Sequence, residues 1–184
     1  MTLGFRRMAR EQYRLMTPLE KISPAEVETL IRQMAESLLP LLGSEHRSAK
    51  MLGIKTGGVL VAQQLHSALD LSEPAGELNI SFYRDDFSRI GLHPQVGAST
   101  IPFSVDGEII ILVDDVLYSG RTVRAAMNEI FDFGRPEKII LATLVGRSGR
   151  ELPVSADVIG RSMDLPESHQ VKLRDDLSLE ISQR

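Results

Sequence analysis

The 184-residue sequence contains no cysteine and no tryptophan, and no apolar run approaches the roughly 20 residues that cross a bilayer. The lack of cysteine excludes disulfide scaffolds, thiolate zinc sites and cysteine nucleophiles. The first residues lack the unbroken apolar stretch of a secretory signal. A net charge of -4 argues against a protein that coats nucleic acid, because such coating needs many Lys and Arg contacts to phosphates. We therefore expect a cytoplasmic protein without a membrane partner.

The residues that are present indicate one folded domain. Hydrophobic residues make up 42% of the chain, which at this length is enough to bury a substantial core. Short apolar or mixed runs predict strands near residues 49–54, 78–83, 109–113, 138–145 and 157–159. Helical periodicity follows Ser23 and Pro24, begins again near Val59, and covers residues 122–133. Strands that alternate with helices predict an α/β fold, with a largely parallel sheet flanked by helices. The polar segment 84–102 is predicted to be a mobile loop or hairpin.

The segment IIILVDDVLYSGRT carries the strongest functional signal, because it leaves the end of a buried strand and enters a helix. Ligands of open parallel sheets bind at the carboxyl ends of the strands. A helix N-terminus aims backbone N–H groups and a positive dipole end at an anion, and Gly120 lets the backbone approach closely. Ser119 and Thr122 add hydroxyl donors. The segment therefore predicts a phosphate site.

The paired acids Asp114 and Asp115 do not favour a phosphate, but they suit ribose hydroxyls, which donate hydrogen bonds, or a nearby metal. Acids beside a phosphate cradle predict a site for a ribose 5-phosphate group. The alternative is an ordinary strand–turn–helix in which Asp115 or Ser119 only caps the helix. The spacing differs from GxxxxGK[ST], and the segment lacks GxGxxG, so it favours neither a triphosphate loop nor a dinucleotide site.

The same segment resembles the phosphoribosyl pyrophosphate (PRPP) signature of type I phosphoribosyltransferases. Further blocks, GIKT followed by Gly58, then YRDDFS, GRP and RELP, resemble the PyrR family of pyrimidine operon regulators that also act as uracil phosphoribosyltransferases. The resemblance implies an N-terminal extension over residues 1–18 and a phosphoribosyltransferase domain with a mobile hood loop over residues 19–184. It also implies a homodimer or a higher homo-oligomer.

By this resemblance the protein converts uracil and PRPP to UMP and pyrophosphate. Asp114 and Asp115 are then the catalytic residues, which hold the ribose hydroxyls and, through PRPP, the cofactor Mg²⁺. The residues expected to contact PRPP or the nucleotide are Lys55, Thr56, Gly57, Arg84, Asp114, Asp115, Val116, Leu117, Tyr118, Ser119, Gly120, Arg121 and Thr122. The residues expected at the base pocket are Arg147, His169 and Val171. Arg150 is the candidate contact for pyr leader RNA.

The sequence departs from the family pattern at several of these blocks. Gly57 stands where KTRG has its arginine, which removes a cation from the pyrophosphate loop. A charge-assisted contact of this kind is worth roughly 1.5–3 kcal/mol, or at least tenfold in binding or rate. Asn79 and Thr100 replace aspartates, and Gly146 and Gly149 replace the Asp and His of DRGH. The phosphate cradle itself is intact.

Three functions stay open on the sequence. The first is an active uracil phosphoribosyltransferase that also regulates transcription, in the manner of attenuation. The second is a catalytically weak or inactive regulator that senses nucleotides and binds pyr leader RNA or another partner. The third is a phosphoribosyltransferase for another base, with an altered pocket.

Overall fold

The computed structural model describes residues 20–80 and 98–184. The predicted N-terminal extension, Arg84 and most of the predicted hood segment therefore lie outside the described residues. In chain order the elements are β1 (Glu20–Ile22), α1 (Pro24–Leu42), a 3₁₀ segment (Gly43–Ser48), β2 (Lys50–Ile54), α2 (Gly57–Leu69), β3 (Gly76–Leu78), β4 (Ile109–Leu117), α3 (Arg121–Phe133), β5 (Lys138–Arg147), β6 (Val158–Met163), β7 (His169–Leu173) and β8 (Leu179–Gln183).

Five parallel strands form the central sheet, in the order β3-β2-β4-β5-β6. Helices α1 and α2 pack on one face of this sheet, and α3 packs on the other. The predicted α/β architecture is confirmed. In the part of the chain that the structure describes, no helix combines the length and hydropathy needed to cross a bilayer.

Strand β4 lies at the centre of the sheet and is buried on both faces. Successive side chains of a strand point to opposite faces. Ile111 and Val113 accordingly pack with α1 and α2, whereas Ile110 and Leu112 pack with α3. This alternation continues into the two acids that follow, so Asp114 belongs to the α3 face and Asp115 to the α2 face.

Local chemistry explains where the helices begin. At α1, the Ser23 side chain accepts from the backbone of Glu26, and the Glu26 carboxylate accepts from the backbone of Ser23, with Pro24 at the first helical position. These two hydrogen bonds form a capping box. The N-cap residues of α2 and α3, Thr56 and Gly120, make no capping hydrogen bond with a side chain, which matters below.

Strand lengths differ from the sequence prediction in three places. β4 extends beyond Val113 to Leu117, because its ladder with β5 continues to Leu117 opposite Gly146. Asp114 and Asp115 are therefore strand residues, not the start of a loop. β6 runs to Met163, since polar residues within it hid the strand from an apolar pattern. The strand predicted over 78–83 is instead β3, which ends at Leu78; residues 81–83 lie outside the described residues.

A second sheet was not predicted at all. β1, β8 and β7 form an antiparallel sheet, in which Glu20 lies opposite Ile181 and Val171 opposite Ile181 on the other side. These strands are only three to five residues long and carry mixed side chains. They join parts of the chain that are far apart in sequence, so no local sequence pattern predicts the pairing.

Candidate nucleotide site

The paired acids lie at the carboxyl end of the central strand. Asp114 is 4% exposed, and its carboxylate accepts from the backbone N–H of Asp115 at 3.0 Å. Asp115 is half-buried and faces α2. Two carboxylates from adjacent residues of one strand thus reach both sides of the same sheet edge. They offer acceptors to hydroxyl groups, or oxygen ligands to a hard cation.

Three residues separate the end of β4 from the N-terminus of α3, which could receive an anion. Gly120 has a left-handed backbone with φ 92° and ψ -6°, which a residue with a side chain rarely adopts. No acidic residue stands in the first turn of α3. The Ser119 hydroxyl oxygen accepts from the backbone N–H of Arg121 at 3.3 Å, which leaves its O–H to donate outward. The structure thus places backbone N–H groups and the Ser119 hydroxyl together at the start of α3.

The loop from β2 into α2 sits directly on the acids. The Lys55–Thr56 peptide bond is cis. A Cβ added to Gly57 would lie 2.8 Å from the Cβ of Asp115, and one added to Gly58 would lie 2.5 Å from the carbonyl oxygen of Val113. Both glycines are required by this close approach, because real Cβ atoms do not come so near. The absence of a side chain at position 57 thus makes room for the Asp115 carboxylate.

Lys55 is the cation of this loop, and it is paired with an acid. Its ammonium lies 2.9 Å from a carboxylate oxygen of Glu77 on β3, and its backbone N–H donates to Leu78 at 2.9 Å. Position 77 carried no signal in the sequence. Its proximity follows from the register of β2 and β3, which places Glu77 opposite Gly53.

The RELP block packs over the phosphate loop. The backbone N–H groups of Glu151 and Leu152 both donate to the carbonyl of Ser119 at 3.0 Å, and the Glu151 carboxylate accepts from Arg121 at 2.8 Å. Arg150 donates to the carbonyl of Tyr118 at 2.5 Å, and partial desolvation lowers the pKa of its guanidinium from the usual value. The candidate RNA contact is thus attached to the nucleotide loop, although most of its side chain is exposed.

Arg147 is a buried cation, with 4% of its surface exposed. Its Nη1 donates to the carbonyl of His169 at 2.7 Å, and its Nη2 donates to the carbonyls of Pro166 at 3.0 Å and Leu165 at 3.4 Å. The guanidinium also lies 4.1 Å from the centre of the Tyr118 ring. Its Nε is buried and has no hydrogen-bond partner among the described residues, so it calls for an acceptor from elsewhere.

Tyr118 joins the phosphate loop to this neighbourhood. The guanidinium of Arg184 also lies over its ring, 5.2 Å from the centre. A Cβ added to Gly149 would lie 3.2 Å from Cζ of Tyr118, and Gly149 has a left-handed φ of 102°. The departure from histidine at position 149 therefore has a physical reason, because only glycine fits against Tyr118 with this backbone.

His169 and Val171 were predicted to line the base pocket, but the structure shows their backbone groups in contacts within the protein. The carbonyl of His169 accepts from Arg147, and its N–H donates to Pro166 at 3.0 Å. Val171 is paired with β8 and packs against the core. The structure brings His169 and Arg147 together, and gives His169 the part of holding the arginine in place.

Ser99, beside the departure at Thr100, links the backbone of Asn79 to an acid on α3. The Ser99 hydroxyl donates to the carboxylate of Glu129 on α3 in a short hydrogen bond, and its oxygen accepts from the backbone N–H of Asn79 at 2.8 Å. These bonds join residues 79 and 99, which lie on either side of the segment outside the described residues, to α3. At Gly146 a Cβ would lie 3.0 Å from Cδ1 of Ile159, a tight contact with the end of a flexible side chain.

The structure brings the predicted phosphate, ribose and pyrophosphate residues to one sheet edge, with two qualifications. Arg84 lies outside the described residues. The side chains of Val116 and Leu117 pack against or within the core, so any contact they make with a ligand falls to their backbone groups. Sequence reasoning missed Glu77, Glu129, Glu151 and the ring contacts of Tyr118, all of which depend on pairings distant in sequence.

The comparisons with known proteins agree with this geometry. The family model "Phosphoribosyl transferase domain" matches residues 22–172. The "Bifunctional protein PyrR" of Nitrosococcus oceani is 56% identical over 150 residues, which cover 80% of this chain and 85% of that protein. The protein of the same name from Pseudomonas syringae pv. tomato is 48% identical over 162 residues, covering 86% and 94%.

Solved structures support the fold. A hypoxanthine-guanine-xanthine phosphoribosyltransferase superposes with a TM-score of 0.65 at 17% identity, covering 92% of this chain and 96% of that one. The hypoxanthine phosphoribosyl transferase of Trypanosoma cruzi gives a TM-score of 0.65 at 14% identity, covering 91% and 93%. At identities this low, these structures show a similarity of fold alone.

Proposed function

Because the chain belongs to the phosphoribosyltransferase domain family and, within it, to the PyrR family, we propose that it makes UMP from uracil and PRPP and regulates pyrimidine genes. In this reaction a bond forms between a uracil nitrogen and C1 of the ribose, the bond from C1 to pyrophosphate breaks, and the nitrogen loses its proton. One observation carries the proposal: Asp114 and Asp115 lie at the end of β4, against the Gly57–Gly58 turn, on the strand whose following loop enters α3.

Each part of that arrangement has a task in the proposed reaction. Backbone N–H groups at the start of α3, with the hydroxyls of Ser119 and Thr122, hold the 5-phosphate. Asp114 and Asp115 accept hydrogen bonds from the ribose hydroxyls and stabilise positive charge that develops on the sugar. Arg147, held by the carbonyl of His169, borders the base.

The two carboxylates also fit Mg²⁺, which prefers oxygen ligands and commonly binds through one or two carboxylates together with substrate phosphates. When bound with PRPP, Mg²⁺ neutralises charge on the leaving pyrophosphate. Asp114 and Asp115 act on it through the ribose hydroxyls that they hold. Arg84, which lies outside the described residues, and the hood belong to the same proposal.

Turnover tests the catalytic part of the proposal. We expect UMP and pyrophosphate to form from uracil, PRPP and Mg²⁺, at a rate lowered by the missing arginine at position 57. Gly57→Arg alone does not restore the rate, because the new Cβ would meet the Cβ of Asp115 at 2.8 Å and displace the acid. Product formation is followed by chromatography. A complete lack of UMP at high protein concentration would contradict the proposed catalysis.

A regulator with little or no catalysis is the second candidate, and the Gly57–Asp115 contact favours it. Such a protein still binds UMP but makes none. Arg150 is the proposed RNA contact, since its exposed guanidinium is attached to the loop that holds the nucleotide. We expect Arg150→Gln to weaken a gel shift with pyr leader RNA by several-fold while a scrambled hairpin is unaffected. Equal, strongly salt-dependent binding to both RNAs would contradict specific recognition.

The proposal also covers the location and the oligomeric state of the protein. We place it in the cytoplasm, as a homodimer or a higher homo-oligomer. Phe131 and Phe133, at the end of α3, are 45% and 53% exposed, which supports a partner surface there. Residues 1–18 are proposed as an extension to the phosphoribosyltransferase domain.

A further inference from the structure

The two helix N-termini at the site are not equivalent. The start of α3 has no acidic residue in its first turn, and its N-cap residue is Gly120. The neutral Ser119 hydroxyl accepts from the N–H of Arg121, so no carboxylate of that turn opposes a ligand anion. At the start of α2, by contrast, the carboxylate of Asp115 lies against Gly57, the first residue of the helix. An acid of the protein therefore occupies the end of α2 that a second phosphate group would approach.

The lysine beside α2 is also paired with an acid of the protein. Lys55 is the only Lys or Arg between β2 and α2, and Glu77 holds its ammonium at 2.9 Å. The side chains of Lys55 and Glu77 are 35% and 37% exposed, so solvent and a ligand can reach the pair. A pyrophosphate that approaches α2 meets Asp115 and Glu77 together with one lysine, whereas the phosphate at α3 meets N–H groups.

We infer that Glu77 is a specificity-determining residue, which by holding Lys55 sets the site to favour a nucleoside 5-monophosphate over a ribose 5-phosphate that carries pyrophosphate. The inference rests on the proposed function, since it takes the α3 end as the 5-phosphate site. Glu77 acts through Lys55 and touches no reacting atom, so it is a positioning residue. A monophosphate places no group at the start of α2, so its binding does not depend on the Lys55–Glu77 pair.

The size of the effect follows from the exposure of the pair. A partly exposed ion pair is screened by solvent, so releasing Lys55 strengthens a contact with a highly charged ligand by about three- to tenfold. We expect Glu77→Gln to tighten the binding of PRPP and of inorganic pyrophosphate by this factor and to leave UMP binding unchanged. Wild-type protein binds UMP more tightly than PRPP at equal Mg²⁺.

Isothermal titration calorimetry with UMP, PRPP and inorganic pyrophosphate, each with MgCl₂, measures these affinities. Glu73→Gln is the matched control, because Glu73 forms a similar pair with Lys50 at the opposite end of β2, 3.9 Å apart. It removes the same charge away from the site and changes none of the three affinities. In a Lys55→Met background, Glu77→Gln loses its effect, since Glu77 acts only through that lysine.

Three results would overturn the inference. These are an equal gain for UMP and PRPP in Glu77→Gln, a gain that persists without Lys55, or wild-type protein that prefers PRPP to UMP. The third result is measured on the wild-type protein alone, so it tests the inference even if Glu77→Gln folds poorly. Failure of the proposed function looks different, because UMP then does not bind to the wild-type protein at all.

Discussion

Replacing Arg147 with methionine is expected to lower the free energy of unfolding by about 2–4 kcal/mol. The substitution keeps much of the apolar stem but removes the donors to three carbonyls, which lie between 2.7 and 3.4 Å away. It also removes a cation 4.1 Å from the centre of the Tyr118 ring, a contact worth about 1–2 kcal/mol when desolvated. The carbonyl of His169 is then left without its strongest donor.

An opposing effect reduces this loss but does not cancel it. Arg147 has no carboxylate partner among the hydrogen bonds and ion pairs of the described residues, so burying its charge carries a desolvation penalty that methionine avoids. The carbonyls of Leu165 and Pro166 lie on a partly exposed turn and regain water in the variant, whereas that of His169 is less accessible. We therefore expect the lower half of the range if the turn opens fully.

Urea unfolding measures the change, with two variants beside it. Arg147→Lys keeps the charge but lacks the planar fork, so we expect an intermediate stability. Arg47→Met is the control, because Arg47 forms an exposed pair with Asp70 at 2.8 Å, and its loss costs less than about 1 kcal/mol. An Arg147→Met protein as stable as the wild type would mean that desolvation cancels the hydrogen bonds.

Much of the site could be predicted because its signals are local. The run from Ile109 through Thr122 combines a buried strand, adjacent acids, a glycine turn and a helix, and each of these depends on neighbours in sequence. The structure confirms the parallel sheet and the convergence of the loop after β2 with the end of β4. The place of the loop after β2 at this site was expected from the resemblance to the PyrR family, not from a local pattern.

The remaining features depend on register and on pairing between distant segments. Glu77 reaches Lys55 because β3 lies beside β2, and Glu129 reaches Ser99 across thirty positions. The antiparallel sheet of β1, β8 and β7 joins the two ends of the described chain. Strand β4 was predicted too short, because Asp114 and Asp115 interrupt its apolar run although the backbone ladder continues.

Removing the paired acids has the largest expected effect on binding. If Asp114 and Asp115 accept from the ribose hydroxyls, Asp114→Ala/Asp115→Ala loses two charge-assisted hydrogen bonds, each worth about 1.5–3 kcal/mol. The variant also loses repulsion between two carboxylates and the ligand phosphate, which in water at about 8 Å amounts to about 0.5 kcal/mol per charge. The hydrogen bonds prevail, and the net loss of about 2–5 kcal/mol corresponds to at least about thirtyfold weaker binding of UMP.

Calorimetric titration of UMP into the wild-type protein and Asp114→Ala/Asp115→Ala is the most direct test of a ribose phosphate site at the end of β4. The control is Asp132→Ala/Asp175→Ala, which removes two exposed charges outside the site. Thermal unfolding confirms that each variant is folded. We expect the control to bind UMP like the wild type, and the variant of the paired acids to bind at least about thirtyfold more weakly. Equal affinity for UMP in all three folded proteins would contradict the assignment.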